Sequence, residues 1–460
     1  MRIVHAIREN WTMKSEIRRP LSVEVLEDRS VPATIQFDGS NLYVSNLLLG
    51  GAASKIQVLQ QANNSFEVLD GNCGNGFYDV TGNITILGNN GKDTIIVNVN
   101  NTVGLLGNLS INAGSAVSAI TIDGSQTGAF IAGNSNINLG NNSTLVTFGG
   151  TTGFTNKGSL LVTARGNGDN SITIGGAANP TIILGNTQII GFPVVALGGT
   201  KGDVFAGNVN IGDFQDPNAS EIELHADTQV LGNFTLQASN APTATFVDGN
   251  VLGNLTVALG NGTNSVTLAN GGQPVRLGNV TITAGNGNTT FTPSGGSPVT
   301  VLNNVSVNWG NGNNVVGTSA GFTVNGNMSV VVGNGSLNAA TDAFQGQDFG
   351  NLSVNAGNGN NQITLDGTNG AIVGGTFNYV GGNGGNSVTI DNASANVVVL
   401  NGHVGNDPAN LLTIGAGTTP GTITGTFIWN EPTAAIPGVN GLVDNGYIFT
   451  SPITLINIPS

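Results

Sequence analysis

Glu221, Glu223, His225 and Asp227 alternate with Ile222, Leu224 and Ala226 in one seven-residue run, in a chain that otherwise carries few charges. Successive strand side chains point to opposite faces, so the three carboxylates and the imidazole fall on one side and the apolar residues on the other. Asp203 and Asp248 sit at nearly the same offset one repeat away on each side. Such a set has the groups of a metal site or of general acid and base catalysis. A solvated strand face explains the same pattern, and the sequence leaves both readings open.

Asp93 is the second chemical candidate. Gly88-Asn89-Asn90-Gly91-Lys92-Asp93-Thr94-Ile95-Ile96 resembles the nonapeptide of calcium-binding β-roll proteins, where aspartates and turn carbonyls hold the ion. In the corresponding turns farther on, Asn170, Asn264, Asn314, Asn361 and Asn386 stand where that family has aspartate. A neutral amide supplies an oxygen without a charge, which weakens a calcium site. A β-roll turn also needs about 18 residues, two nonapeptides, against repeats near 25 in this chain. The alternative is that these amides stack and bond the turn backbones of neighbouring repeats. His5 and His403 have no Cys or His at ligand spacing, Cys73 has no partner for a disulfide, and Trp309 reads as a packing residue.

The elements that must position these residues are short strands. GNLTVALGNGTNSVTL, from Gly253 to Leu268, is the unit most of the chain repeats. It opens on Gly253-Asn254, a dipeptide suited to positive φ, followed by the in-out-in pattern of Leu255, Thr256 and Val257. Gly260-Asn261-Gly262-Thr263-Asn264 makes a second turn, and Val266, Thr267 and Leu268 repeat the alternation. Copies start at Gly82, Gly107, Gly207, Gly232, Gly278, Asn303, Gly326 and Gly350, with weaker ones at Gly133, Gly158 and Gly185. The spacing is 21 to 25 residues between neighbouring starts.

A fixed period of this size means one supersecondary unit stacked many times. No helical period intervenes, so the expected fold is all-β: a parallel β-helix, or β-solenoid, of about 15 coils with roughly 24–25 residues per coil, capped at both ends. Three strands fit in each coil, the third typified by Pro274-Val275-Arg276-Leu277. At about 4.8 Å per coil the stack would be roughly 70 Å long. Aligned by offset, Leu109, Phe234, Leu255, Val280, Val305, Met328 and Leu352 form one apolar column, and Ile111, Leu236, Val257, Ile282, Val307, Val330 and Val354 a second. Between them lie Ser110, Thr235, Thr256, Thr281, Ser306, Ser329 and Ser353, predicted to face outward.

Composition fits a repeat array. Glycine accounts for 71 of 460 residues, about twice the usual share, and charged residues for only 8%. Apolar residues make up 39% at regular positions, which opposes disorder. No apolar run reaches membrane-spanning length. A net charge of −14 argues against a nucleic-acid partner.

Residues 1–33 differ in kind, holding 6 of the 12 basic residues. Arg18-Arg19-Pro20-Leu21-Ser22-Val23-Glu24-Val25-Leu26-Glu27-Asp28-Arg29-Ser30-Val31-Pro32-Ala33 resembles the leader of many large exported and surface proteins of planctomycete bacteria. The resemblance implies a secreted or cell-surface destination and nothing about activity. The expected organisation is a leader over 1–33, an N-terminal β cap over 34–81, β-helix repeats over 82–401, and loosened last coils with a C-terminal cap over 402–460.

Two functions remain. One is an exported structural or adhesive solenoid, a spacer or weak multivalent surface for extracellular polysaccharide or other surface proteins. The other is a carbohydrate-active β-helix, suggested by a coil length similar to that of the pectate-lyase-like solenoids, a fold-level resemblance only. The chain is not committed to catalysis, and apart from the calcium suggested at Asp93 no cofactor is indicated. The column alignment is directly testable. Val305→Asp would bury an unpaired charge and cost about 3–5 kcal/mol in urea unfolding, whereas Ser306→Asp would be nearly silent; equal effects would dissolve the columns.

Overall fold

The computed structural model describes residues 34–460 apart from 46–54, 62, 71–72, 89–93, 101–102, 116–118, 142, 166–167, 213–218, 294–295, 318–320, 340–345, 367–371, 392–393, 402–410, 415–421, 424, 431–440, 445–447, 450–452 and 457–460. They belong to one compact unit, Pro32–Ser460, in which every regular element among the described residues is a β-strand.

The strands form three ladders that follow the repeat. After each Gly-Asn start comes a strand of the first ladder: Phe234–Gln237, Leu255–Leu259, Val280–Ala284, Val305–Trp309, Met328–Val332 and Leu352–Asn355 pair in sequence, all parallel. After each glycine-rich turn comes a strand of the second ladder, as in Thr243–Val247, Asn264–Leu268 and Thr289–Thr292. A shorter third strand, such as Val275–Leu277, Val299–Val301 or Phe322–Val324, returns the chain to the next start. Strand pairing runs from coil to coil and no ladder closes on itself, so the unit is a β-solenoid and not a barrel.

Register confirms the columns. Leu255 pairs with Val280, Val280 with Val305, and Val305 with Met328. Each of these side chains is at most 1% exposed. Each fully buried Val, Leu or Ile contributes roughly 1.5–3 kcal/mol. Phe148, Phe192, Phe205, Phe234, Phe291, Phe322 and Phe377 are buried in the same interior. Thr256, Thr281 and Ser306 alternate outward from the buried columns.

Parallel stacking begins before the first Gly-Asn repeat. Leu42–Ser45 already pairs in parallel with Ile84–Leu87, and Lys55–Gln60 with Thr94–Val99. Leu42 and Val44 supply the inward alternation, and Asn41 supplies the amide that elsewhere follows glycine. The end of the stack is covered by antiparallel chain: Thr34–Phe37 lies against Leu42–Ser45, and Lys55–Gln60 is followed by the meander Ser65–Asp70 and Cys73–Asp79. Such pairing occupies an edge that would otherwise template another chain. At the other end Leu411–Ile414 pairs with Gly441–Asp444 and Phe427–Asn430 with Ile453–Ile456, both in parallel, so parallel pairing is also present among the described residues of 402–460.

The glycine of the Gly-Asn start has a different cause from the one its sequence suggests. Positive φ occurs at Gly39, Gly104, Gly272 and other turn glycines, but not at Gly253 or its equivalents. What excludes a side chain there is the neighbouring coil, because a Cβ on Gly253 would lie 2.4 Å from the Gly232 carbonyl oxygen. Gly278 and Gly107 meet Gly253 and Gly82 in the same way. Gly253→Ala is therefore expected to cost about 1–3 kcal/mol by overpacking. Gly296→Ala, with open space around the added methyl, is expected to change the urea midpoint little; indistinguishable midpoints would refute the close-approach explanation.

Candidate functional site

The acidic run lies on the second ladder, where Ser220–Leu224 pairs with Val194–Leu197 and Thr243–Val247. Ile222 and Leu224 are buried, and Glu221 is exposed. The Glu223 carboxylate contacts the His225 Nδ1 at 3.1 Å, the two side chains being 33% and 38% exposed. At that exposure such a pair is worth about 0–1 kcal/mol. The adjacent coils place Ala196 and Phe246 beside Glu223, so no second carboxylate arrives from above or below. The strand ends at Leu224, and Asp227 lies beyond it at φ +65°, exposed. The four candidates thus reduce to a Glu223–His225 contact with Glu221 on the same strand.

Asp203 and Asp248 do not extend the row. Asp203 is fully buried and accepts hydrogen bonds from the backbone N–H groups of Gly176, Thr181 and Gly199. Asp248 is 6% exposed and accepts from the N–H of Asn270. Counting residues put them beside the strand, but each belongs to the turn after the second ladder, where it pins the backbone of neighbouring coils. Asp123, which sequence reasoning missed, does the same for Gly124, Thr151 and Thr152. An aspartate one to seven residues before the third strand was the available signal. Among the described residues, no group of three or more His, Cys, Asp or Glu side chains could hold a metal ion. Asp93 lies outside the described residues.

The asparagines are where the turns do most of their bonding. Behind the Gly-Asn starts, the N–H of one asparagine donates to the Oδ1 of the one before it: Asn108 to Asn83, Asn233 to Asn208, Asn254 to Asn233, Asn327 to Asn304 and Asn351 to Asn327, at 2.8–3.0 Å. At the glycine-rich turn a second ladder runs through Asn261, Asn286, Asn311 and Asn334. Asn170, Asn264, Asn314, Asn361 and Asn386, which stand in place of the β-roll aspartates, are at most 3% exposed. Asn264 Nδ2 donates to the carbonyls of Gly260 and Gly262 at 3.1 and 2.9 Å, while its Oδ1 accepts from the N–H of Thr243 in the preceding coil. Asn361 and Asn386 bond their own turn carbonyls in the same way. Turn carbonyls that would face a cation in a β-roll are here aimed at amide hydrogens.

Two open troughs run along the second ladder. One, of about 490 Å³, is lined by Thr121, Thr147 and Thr173 together with glycine turns, Thr200 and His225. The other, of about 760 Å³, lies between the turn and the strand around Asn313, Asn338, Asn360 and Gln362. No helix among the described residues is long and apolar enough to cross a membrane. Comparison with protein-family models, curated proteins and solved structures finds no match for this chain.

The amide geometry gives a direct test of cation use. Asn264→Asp removes both donors and aims a buried charge at the Gly260 and Gly262 carbonyls, so it is expected to destabilise by about 3–5 kcal/mol. Stability measured by urea unfolding should not recover in millimolar calcium; full recovery would show that the turn can revert to a calcium site.

Proposed function

We propose that this chain is an exported, cell-surface structural β-solenoid that serves as a spacer and as a weak, multivalent contact surface. The observation that carries the reading is the uniformity of the outside: Ser110, Thr235, Thr256, Thr281, Ser306, Ser329 and Ser353 recur beside the buried columns, each at the same place in its coil. Its polar turns are largely engaged in bonding the next coil. A surface of this kind offers many equivalent weak contacts, which gain strength by repetition. The resemblance of Arg18–Ala33 to an export leader supports the destination, and extracellular polysaccharide or other surface proteins are the corresponding partners.

A carbohydrate-active role is the second reading, and the Glu223–His225 contact beside the threonine-lined trough is what favours it. Sugar cleavage by such a groove would draw on stacking aromatics and cationic side chains, and apart from the His225 imidazole the described lining of this trough has neither. Calcium is assigned no role across the array, because the amide nitrogens compete for the turn carbonyls.

Labelling of intact cells with a membrane-impermeant reagent should modify the protein, and its recovery only from the cytoplasm would refute the proposal. Incubation with neutral and acidic polysaccharides should release no reducing or unsaturated ends. Cleavage abolished by Glu223→Gln or His225→Ala would replace the structural reading with the catalytic one.

A further inference from the structure

We infer that the trough between Asn313 and Ser387 is a binding site for a linear, uncharged polysaccharide lying parallel to the solenoid axis. The inference rests on the adhesive reading above and names the ligand class and the site. The trough has about 760 Å³ of space and is lined by two rows of polar side chains. One row is on the second ladder, where Asn338 pairs in register with Gln362 and Gln362 with Ser387. The other row, Asn313, Ser336 and Asn360, sits on the rim of the glycine-rich turn one residue before each strand.

The floor between the rows is fixed. Asn361 Nδ2 donates to Gly357, Gly359 and the Oδ1 of Asn386, and Asn386 Oδ1 also accepts from the Tyr379 hydroxyl at 2.7 Å. Asn360 Oδ1 takes the Gly385 N–H at 3.1 Å, which steadies the rim. Asn313, Asn338, Asn360 and Gln362 are exposed. A floor held this way does not need to order itself when a ligand arrives.

The chemistry of the lining selects the ligand. An amide side chain carries donors and an acceptor together, the pair of functions that a sugar hydroxyl also carries. Among the described residues no Lys, Arg, Asp or Glu lines the trough, and the chain carries a net charge of −14, so an acidic polymer is repelled without local compensation. The polar groups repeat along the axis at the coil spacing of about 4.8 Å, which suits a chain of repeating units rather than a compact molecule. A peptide adding as a β-strand is excluded there, because the ladder strands are already paired to a coil on each side.

Affinity electrophoresis of the full chain through gels containing linear β-glucan, mannan or xylan, with polygalacturonate and alginate as acidic controls, tests the site. The expected result is retardation by at least one neutral polymer, little changed by added salt, and an affinity about tenfold lower in the Asn338→Ala/Gln362→Ala variant. Gln362→Glu, which preserves shape and adds charge, should weaken binding comparably, and Gln229→Ala, which removes an exposed amide on a third strand away from the trough, should bind as the parent does. Circular dichroism melts establish that each variant is folded. Retardation by no neutral polymer, retardation by acidic polymers alone, or undiminished retardation of both trough variants would overturn the assignment. Surface labelling of intact cells reports separately on the adhesive reading, so a surface-exposed chain that binds no neutral glycan would remove the trough and leave the solenoid's proposed location standing.

Discussion

Every residue in the body of this chain is constrained by the residue one coil away, because backbone hydrogen bonds hold the two about 4.8 Å apart. At that distance a column tolerates only groups that attract or ignore their own kind. Aliphatic side chains stack over each other inside, hydroxyls outside, and amides at the corners, since an amide can donate upward and accept downward. Like charges cannot. Two unit charges at that separation repel by close to 1 kcal/mol even in bulk water, and by several times that at lower effective dielectric. The scarcity of charge in the sequence follows from the same spacing that makes the sequence repetitive, and so does the choice of Asn over Asp at positions 264, 314, 361 and 386.

Features that depend on this stacking were legible in the sequence. The apolar columns, the three strands per coil and the amides in place of β-roll aspartates all repeat, and a repeat shows which residues share an environment. Leu255, Val280 and Val305 meet as their offsets require. The reason for the glycine column was less legible. A Gly-Asn pair suggests positive φ, but the cause is a carbonyl of the neighbouring coil occupying the place of a Cβ. A contact between coils leaves no local mark that distinguishes it from a turn.

The candidate site was legible only as far as strand alternation reaches. Glu221 and Glu223 point outward as the pattern of Ile222 and Leu224 dictates, and His225 meets Glu223 just past the strand end. Asp203, Asp227 and Asp248 fall in turns, where an offset counted from the nearest Gly-Asn start no longer fixes direction because coil lengths vary there. Asp227 adopts positive φ, and Asp203 is buried against three backbone N–H groups. A turn aspartate satisfying backbone donors and a catalytic aspartate look alike in a sequence. They part only when their neighbours in other coils are known.

The amide ladder also has a direction. Each Asn N–H points toward the N-terminal end of the stack, so the bond dipoles add, much as peptide dipoles do along a helix, and the end they point to favours negative charge. Asn83 donates to Asn41 at 2.8 Å, and Asn41 Nδ2 in turn donates to the Asp38 carboxylate at 3.0 Å. The Asn41 side chain, with the backbone N–H groups of Asn41 and Ser40, holds the Asp38 carboxyl below the usual carboxylate range. The column breaks where Ser159 replaces asparagine, donating to Asn134 but offering no amide to the next coil, and it resumes with Asn208 on Asn186. A run of like dipoles therefore ends on an anion at the covered end of the solenoid, where hairpin pairing also occupies the open edge. The sequence departs from its repeat at Asp38 because a stack needs a different residue where it stops.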